Sequence, residues 1–428
     1  MSHKIETLAL HAGHTPDSDT LSRAVPLYRT SSYVFKSTEH AKNLFALKEP
    51  GNIYTRLGNP TQDVLEQRVA AMEGGGAALA LASGTAAIQY SIMNICSAGD
   101  EFVTANNLYG GTYTMFNDIL PQFGIKATFV NPDDTKAWEN AINENTKLLY
   151  SETIGNPSLG VTDLEKVAAV AEKHHLPLIV DSTFTTPYLL RPIEHGADIV
   201  VHSLTKWMGG HGAGIGGIVV DSGKFDWTDS KFPLYNEPDH SYHGIRYAHD
   251  LGELNSLAFI IRMRLVPLRN LGACISPDNA WLFLQGIETL ALRMQRHCDN
   301  AMETARFLKK HRTVDWVRYP GLHGDPSHKI AKQVLENGYG GMVVFGIKGG
   351  RNAGQQFIEN LKLFSHLANV GDAKSLAIHP ASTTHSQLSE KQQKEGGLPP
   401  ELIRLSIGIE NIQDILDDID QALNNISQ

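Results

Sequence analysis

Hydrophobic and polar residues follow one another in a pattern that predicts alternating helices and strands over residues 61–181. Apolar residues at helical spacing, among them Val64, Leu65 and Val69, indicate a first helix that three consecutive glycines end. Short apolar runs rich in β-branched residues then alternate with helical stretches. The predicted strands are Ala77–Ala82, Glu101–Ala105, Lys126–Val130, Lys147–Ser151 and Leu178–Asp181. The predicted helices between them are Thr85–Ile95, Gly111–Leu120, Thr135–Ile142 and Leu164–His174. This order predicts an α/β fold with a mostly parallel sheet covered on both faces.

The pattern changes on either side of this region and indicates three parts of the chain. Residues 1–60 have few periodic stretches, which predicts an irregular arm that wraps over a neighbouring subunit. Residues 61–265 form the predicted large domain, in which the polar and aromatic segment 222–256 is an insertion or a lid. Residues 266–428 are a predicted smaller α/β domain that contains one helix over Trp281–Cys298. The strands predicted in this smaller domain are Met342–Ile347 and Ile403–Ile409.

Composition narrows the class of protein. The chain has 428 residues of which 42% are hydrophobic, enough for a sizeable core in two domains. The formal charge of −9 and the absence of a basic stripe argue against a nucleic-acid partner. The sequence shows neither a signal-peptide core nor an apolar run that could cross a membrane, so we expect a cytoplasmic protein. Its 3 widely spaced cysteines favour a reducing compartment, and its histidines show no metal-binding spacing.

Lys206 is the residue with the most informative setting. It closes the run Val200–Lys206, which follows a buried strand that ends on Asp181. Pyridoxal phosphate needs a lysine for its Schiff base and a carboxylate that keeps its pyridine nitrogen protonated. The pair therefore predicts a pyridoxal-phosphate site. Taken alone, a lysine before Trp207 would be a surface residue, and Asp181 would equally suit a helix N-cap.

The predicted phosphate site is the turn Ser83–Gly84–Thr85 between a strand and a helix. A helix N-terminus offers unpaired N–H groups to an anion, and glycine permits the tight turn. The hydroxyls of Ser203 and Thr205 could add hydrogen bonds to the same phosphate. Without the lysine, the turn would be interpreted as an ordinary capped turn.

Two more side chains suit this chemistry. Tyr109 follows a predicted strand and could stack on the pyridine ring, although packing of a loop tyrosine on its own domain is equally compatible. Ser83, Tyr109, Glu152 and Asp181 all follow predicted strands, at the edge where ligands bind in such sheets. Arg404 lies on a predicted strand and could bind an amino-acid carboxylate, or else pair with Glu410.

One glycine-rich segment resembles a dinucleotide-binding loop in its spacing but not in its position. Residues 212–217 have the G-x-G-x-x-G spacing of a dinucleotide-binding loop, but they precede a strand instead of opening a helix.

Taken together, these motifs resemble those of the pyridoxal-phosphate enzymes of cysteine and methionine metabolism, and most closely the O-acetylhomoserine sulfhydrylases. The resemblance covers nearly the whole chain. The run His379–Leu388 is similar to that of the sulfhydrylases, whereas γ-synthases and γ-lyases tend to have Met-Thr-His there. Arg29 and Asp278 depart from the residues common in the family. The motifs that carry the resemblance are Tyr54–Thr61, Ser83–Ala87, Glu152–Pro157, Val180–Phe184, Ser203–Lys206 and Ala373–Leu376.

The resemblance implies fold type I, with a mostly parallel seven-stranded sheet, and a homotetramer built of catalytic dimers. It implies that Tyr54 and Arg56 reach across the dimer to the neighbour's cofactor phosphate, and that Tyr54 also contacts substrate. It assigns the substrate carboxylate to Asn156 and Arg404. It places Ser375 near the lysine, where it helps to orient the substrate.

The implied reaction is a γ-replacement in methionine biosynthesis. Acetate of O-acetylhomoserine is replaced by sulfide, or by a small thiol such as methanethiol, which gives homocysteine or methionine. Lys206 forms the Schiff base and carries protons. The alternatives are cystathionine γ-synthase or γ-lyase activity in the same fold and, more remotely, a non-catalytic cofactor-binding regulatory protein.

Overall fold

A computed structural model describes residues 3–383 and 399–426 of the chain. Within these residues seven strands form the larger sheet: β1 (Ala77–Leu81), β2 (Glu101–Ala105), β3 (Lys126–Val130), β4 (Thr146–Glu152), β5 (Leu178–Asp181), β6 (Ile199–Ser203) and β7 (Gly217–Asp221). Their order across the sheet is β1-β7-β6-β5-β4-β2-β3. Only β7 runs antiparallel to its neighbours in this described sheet. The predicted mostly parallel, seven-stranded sheet is therefore confirmed.

The centre of this sheet is buried on both faces, as its continuous apolar runs require. The side chains of Leu178, Ile179 and Val180 are fully buried, and so are the three apolar residues that begin β6. Parallel register brings the carboxyl ends of neighbouring strands to the same edge, where Glu152 at the end of β4 lies opposite Asp181 at the end of β5. This edge is where the predicted site residues meet.

Helices flank both sheets. Their starts follow local capping rules: Asn59 accepts a hydrogen bond from the N–H of Thr61 at the start of α3, and Gly74 ends that helix in a left-handed conformation. In the described residues the α-helices are α1 (Ile5–His11), α2 (Thr38–Phe45), α3 (Pro60–Glu73), α4 (Gly84–Met93), α5 (Gly110–Thr114), α6 (Thr135–Ala141), α7 (Leu164–Lys173), α8 (Thr186–Leu189), α9 (Pro233–Asn236), α10 (Ala258–Met263), α11 (Arg269–Leu271), α12 (Pro277–Glu288), α13 (Leu290–Lys310), α14 (His328–Val334), α15 (Gly350–Asn360) and α16 (Ile412–Asn424). Short π or 3₁₀ turns cover Met115–Ile119, Leu120–Phe123, Pro192–His195, Gly252–Leu257, Arg264–Leu268 and Pro380–Ser382.

A second, smaller sheet follows in the chain. Its strands, in the described residues, are β8 (Val314–Arg318), β9 (Met342–Ile347), β10 (Ser365–His366), β11 (Leu376–Ile378) and β12 (Leu402–Ser406), in the order β10-β11-β12-β9-β8. Residues such as Phe345, Phe357 and Ile415 join this sheet to α13, α15 and α16 in a separate apolar core. Across residues 3–383 and 399–426, no helix is both long and apolar enough for a membrane crossing.

The prediction of one helix over Trp281–Cys298 is wrong, because the chain breaks the helix at Thr289, between α12 and α13. In a continuous helix the carbonyl of Gly286 would accept from the N–H of Leu290. Instead it accepts from Nη2 of Arg293 at 2.7 Å and from the Thr289 hydroxyl at 3.3 Å. Apolar periodicity on both sides of the break hides it from a sequence pattern.

The segment 222–256 is part of the core of the large sheet. Trp227 stacks on Tyr235 with ring centroids 4.3 Å apart and on Phe259 at 5.6 Å. The Tyr235 hydroxyl donates to the carbonyl of Asn94 at 3.0 Å. This aromatic packing anchors the segment, and none of its described residues lines the cavity around Lys206.

The N-terminal arm is only partly docked on its own chain. Helix α1 buries Ile5 and Ala9 in the main core, but Val34 is 95% exposed. Arg29 and Asp278, which both depart from the family pattern, bond to each other through Arg29 Nε and Asp278 Oδ1 at 2.7 Å. The two residues that depart from the family pattern therefore form an ion pair with each other.

Candidate active site

A cavity of about 240 Å³ opens at the carboxyl edge of the large sheet. Ten of the residues predicted from the sequence line it: Ser83, Gly84, Thr85, Tyr109, Asn156, Asp181, Ser203, Thr205, Lys206 and Arg404. They come from both sheets, since Arg404 lies on β12 and most of the others follow strands of the large sheet. The remaining wall includes Glu152, Thr183 and a loop at 368–370.

Lys206 projects its amine toward Asn369. Nζ donates to Oδ1 of Asn369 at 2.6 Å. Burial, and then the positive charge of Arg404, lower the pKa of the lysine to about 8. Asn369 was not predicted from the sequence, because it lies in a loop beside the two-residue strand β10 and belongs to no motif that we identified.

The backbone after Lys206 is fixed by a buried arginine. Arg293 is 4% exposed and donates to the carbonyls of Trp207 at 2.7 Å and Met208 at 3.1 Å. The N–H of Gly210 closes the turn by donating to the carbonyl of Lys206 at 2.8 Å. The guanidinium that breaks the helix at Thr289 therefore also holds the lysine turn.

Two carboxylates lie next to each other at the ends of β4 and β5. Asp181 Oδ1 accepts from the N–H of Thr183 at 2.9 Å, and Glu152 Oε1 accepts from the N–H of Tyr109 at 2.7 Å. Burial raises the pKa of both groups, and the pKa of Glu152 is raised further by the charge of Asp181. The alternative of Asp181 as a helix N-cap is wrong, because the next helix begins only at Thr186.

The start of α4 is a cradle for an anion. Ser83 Oγ accepts from the N–H of Ala86 at 3.0 Å, and Gly84 and Thr85, the first two residues of the helix, line the cavity. A Cβ on Gly84 would lie 2.6 Å from the Cβ of Ser203, so only glycine fits between the helix and β6.

The glycine-rich segment 212–217 contributes to the same wall. The N–H of Gly216 donates to the Thr205 hydroxyl at 3.1 Å. Strand β7 begins at Gly217, as the sequence predicted, so the segment does not open a helix. It is a backbone support for Thr205 and not a dinucleotide loop.

Arg404 and Asn156 meet on the far side of the cavity. Nη1 of Arg404 donates to Oδ1 of Asn156 at 3.1 Å. Burial lowers the pKa of Arg404 to about 10, although the nearby Tyr109 hydroxyl opposes this shift. Within residues 3–383 and 399–426 the guanidinium forms no ion pair with a carboxylate. The alternative pairing with Glu410 is wrong.

Glu410 instead holds Ser375. It accepts from the backbone N–H of Ser375 at 2.6 Å and from its hydroxyl at 2.9 Å. The same hydroxyl accepts from the N–H of Gly408 at 2.8 Å. Ser375 is fully buried and does not belong to the cavity wall.

Tyr54 and Arg56 lie outside this cavity. They line a second, more open cavity of about 520 Å³ together with Cys274. The Arg56 guanidinium lies 4.9 Å from the centre of the Tyr54 ring, and its Nε donates to the carbonyl of Arg269 at 3.0 Å.

Of the sulfhydrylase-like run 379–388, residues 384–388 lie outside the described residues.

The cavity thus combines four features. It has an anion cradle at a helix N-terminus, a carboxylate that can hold a protonated ring nitrogen, an amine of lowered pKa and a guanidinium with no carboxylate partner in the described chain. Tyr109 is 50% exposed and available for stacking at the cavity edge. The donor set fits pyridoxal phosphate together with an amino-acid substrate.

Comparison with known proteins agrees with this chemistry. A sequence model of the family described as "Cys/Met metabolism PLP-dependent enzyme" matches residues 6–424. The chain is 53% identical to an O-acetyl-L-homoserine sulfhydrylase of Leptospira meyeri, covering 99% of this chain and 97% of that protein. It is 51% identical to a homocysteine synthase of Schizosaccharomyces pombe (strain 972), covering 99% and 98% of the two chains.

A solved structure extends the match to the fold. It is a candidate O-acetylhomoserine (thiol)-lyase from Campylobacter jejuni with N'-pyridoxyl-lysine-5'-monophosphate at position 205. The TM-score is 0.94 at 40% sequence identity, and the match covers 99% of this chain and 100% of that one. The predicted family resemblance and fold type I are confirmed.

Proposed function

The chain belongs to the family of Cys/Met metabolism PLP-dependent enzymes, and we propose that it is an O-acetylhomoserine sulfhydrylase, an aminocarboxypropyltransferase of methionine biosynthesis. It replaces the acetate of O-acetylhomoserine by sulfide, or by a small thiol such as methanethiol. The products are homocysteine and, with methanethiol, methionine. The observation that carries this proposal is the near full-length identity of 53% and 51% to proteins named for this reaction.

The cofactor is pyridoxal 5'-phosphate. When bound, it withdraws electrons from the Cα and Cβ of an amino acid and so makes their protons acidic. The amides of Gly84 and Thr85 and the hydroxyls of Ser203 and Thr205 would hold the phosphate, with Ser83 capping the same helix.

The ring would lie between the strand ends and Tyr109. The carboxylate of Asp181 would pair with the ring nitrogen, and its hydrogen bond from Thr183 fixes its orientation. Tyr109 would stack on the ring face, held from its backbone side by Glu152.

Lys206 would move the protons. Its lowered pKa makes a large fraction of the amine neutral near pH 8, so that it can accept the Cα proton and later return it. The acceptor oxygen of Asn369 orients the amine. Acetate leaves from Cγ, and sulfide forms the new bond at the same carbon.

Arg404 and Asn156 would bind the substrate carboxylate. The guanidinium is buried, already oriented by Asn156 Oδ1, and has donors left for a bidentate contact. Ser375 would orient the substrate indirectly, because its hydrogen bonds to Glu410 and Gly408 fix the backbone just beyond β12.

The assembly we propose is a homotetramer of catalytic dimers. Residues 1–60 would be the arm that brings Tyr54 and Arg56 to the neighbour's cofactor phosphate, with Tyr54 also touching substrate. The exposed apolar side chain of Val34 and the open cavity around Tyr54 support such a contact. Residues 61–265 would be the large domain, with 222–256 as its insertion, and 266–428 the small one.

We place the enzyme in the cytoplasm. All of its cysteines are free thiols, and Cys96 and Cys298 are buried in the core, where burial raises the pKa of the Cys298 thiol to about 12. Such thiols suit a reducing compartment.

The test is a competition assay with the purified enzyme. O-acetylhomoserine is supplied with equal concentrations of sulfide and cysteine, and the products are identified by mass. Homocysteine should dominate, and Lys206→Ala should abolish its formation. Mainly cystathionine would assign a cystathionine γ-synthase instead, and only 2-oxobutyrate would assign a γ-lyase.

A further inference from the structure

The second carboxylate of the cavity, Glu152, has no role in the scheme above other than a hydrogen bond. It is 6% exposed and lies in register with Asp181 on the neighbouring parallel strand. Both acids line the same cavity. Two anions so close together in a buried site repel each other strongly, and such pairs in proteins share a single charge.

The surroundings decide which of the two acids is charged. Asp181 accepts the N–H of Thr183, and on its side lies the imidazole of His202, whose Nε2 is 2.5 Å from Oε1 of the buried Glu73. Glu152 accepts one backbone N–H, from Tyr109, and neither of the two acids forms an ion pair in the described chain. A protonated ring nitrogen at Asp181 would favour the charge there still more.

The other groups near Glu152 do not remove this asymmetry. On its own strand the buried Tyr150 hydroxyl is neutral, because burial raises its pKa well above the usual value. From the cavity, Lys206 and Arg404 offer positive charge, but neither is within ion-pair distance of Glu152 in the described residues. Burial and the charge of Asp181 both raise the pKa of Glu152.

We propose that Glu152 keeps its proton in the working enzyme and, as a neutral acid, positions Tyr109 while Asp181 carries the one negative charge among the described cavity-lining side chains. Glu152 is then a positioning residue: its carbonyl-type oxygen fixes the Tyr109 backbone, and with it the ring that covers the cofactor. Its neutrality also serves Lys206, because a second anion in the cavity would stabilise the protonated amine and raise its pKa. The inference rests on the proposed function only through the cofactor.

Glu152→Gln tests this directly, because glutamine has the same shape, keeps an oxygen for the Tyr109 N–H and cannot ionise. The cofactor-loaded variant and wild type are compared by difference infrared spectroscopy at pH 8. A neutral Glu152 predicts loss of a protonated carboxylic-acid absorption. Glu172→Gln is the matched control, since Glu172 is exposed on α7 and should lose an ionised-carboxylate absorption instead.

A second readout follows the pH midpoint of the cofactor's visible absorbance. Exchanging a neutral acid for an amide should move this midpoint by less than about 0.3 pH unit, whereas removing a nearby anion should move it by about one unit or more.

Glu152→Leu is the complementary variant, because it removes both the acid group and the oxygen that accepts the Tyr109 N–H. It should remove the same acid absorption but leave the Tyr109 N–H without an acceptor, which weakens cofactor binding about tenfold. If Glu152→Gln does not fold, the infrared difference between Glu152→Leu and wild type still tests whether Glu152 is protonated. Loss of an ionised-carboxylate absorption in either variant, or a midpoint shift of about one unit in Glu152→Gln, would overturn the proposal. The infrared result is independent of which product wild type forms, so it separates this inference from the proposed reaction.

Discussion

The lowered pKa of Lys206 is open to a direct test in the cofactor-free protein. Two features of the cavity lower it: burial of the amine, and then the charge of Arg404. One feature opposes them, because the Asn369 oxygen accepts from the ammonium form at 2.6 Å and favours it. Arg404→Met should therefore raise the midpoint at which the amine loses its proton, and Asn369→Leu should lower it.

The size of the effect follows from the pKa itself. A change from 10.5 to about 8 corresponds to roughly 3 kcal/mol against the charged form. At pH 8 it makes about half of the amine neutral, against roughly 0.3% at the ordinary value, a gain of about 150-fold in reactive base. Because burial is the larger cause and remains, Arg404→Met should recover only about one unit of the shift.

Competitive acetylation of the cofactor-free protein, resolved by peptide mass spectrometry, gives this midpoint. The exposed Lys332 of α14 serves as the internal reference for the reagent. Arg296→Met, which removes an exposed arginine from α13, is the control and should leave the midpoint of Lys206 unchanged. A wild-type midpoint near 10.5, or shifts of the same sign in the Arg404 and Asn369 variants, would refute the reasoning.

Two further predictions concern stability. Arg293→Met leaves the carbonyls of Trp207 and Met208 without donors and should lower the free energy of unfolding by about 2 kcal/mol, with partial rescue by Arg293→Lys. Urea unfolding checks this, and an equal loss in Arg296→Met would contradict it. Burial raises the pKa of Asp198 from 3.8 to about 6, so the folded protein binds an extra proton and loses stability as pH rises through that window. In Asp198→Asn the amide oxygen can still accept the Leu178 N–H, but the side chain cannot ionise. The thermal unfolding midpoint of this variant should therefore depend less on pH over this range, and an unchanged pH dependence would refute the assignment.

Much of this architecture could be predicted from the sequence, because each element carries its own local signal. Buried runs such as that of β5 leave few choices other than a central strand. Ligands bind beyond the carboxyl ends of parallel strands, so the order of predicted strands was enough to assign Ser83, Tyr109 and Asp181 to one edge of the sheet. Lys206 follows the same logic, since its turn closes the next strand.

The parts that could not be predicted depend on contacts between distant segments. The helix break at Thr289 arises from the side chain of Arg293, which competes for a backbone carbonyl without disturbing the apolar period. Asn369 reaches Lys206 from a loop of the second sheet, 163 positions further along the chain. Strand alternation places Glu410 on the same face as Arg404, which would allow an ion pair between them. In the structure Glu410 instead accepts hydrogen bonds from the N–H and the hydroxyl of Ser375.

The charges of the cavity explain why these contacts matter for chemistry. Lys206 and Arg404 are buried cations whose pKa values fall to about 8 and about 10, which means that the protein holds both at an energetic cost. With Glu152 neutral, only Asp181 offsets them among the described lining residues. Under the proposed function, anionic ligands would offset the rest: a phosphate at the start of α4 and a carboxylate at Arg404. The same imbalance that destabilises the isolated chain thus favours cofactor and amino-acid substrate, and a second ionised acid at Glu152 would weaken that preference.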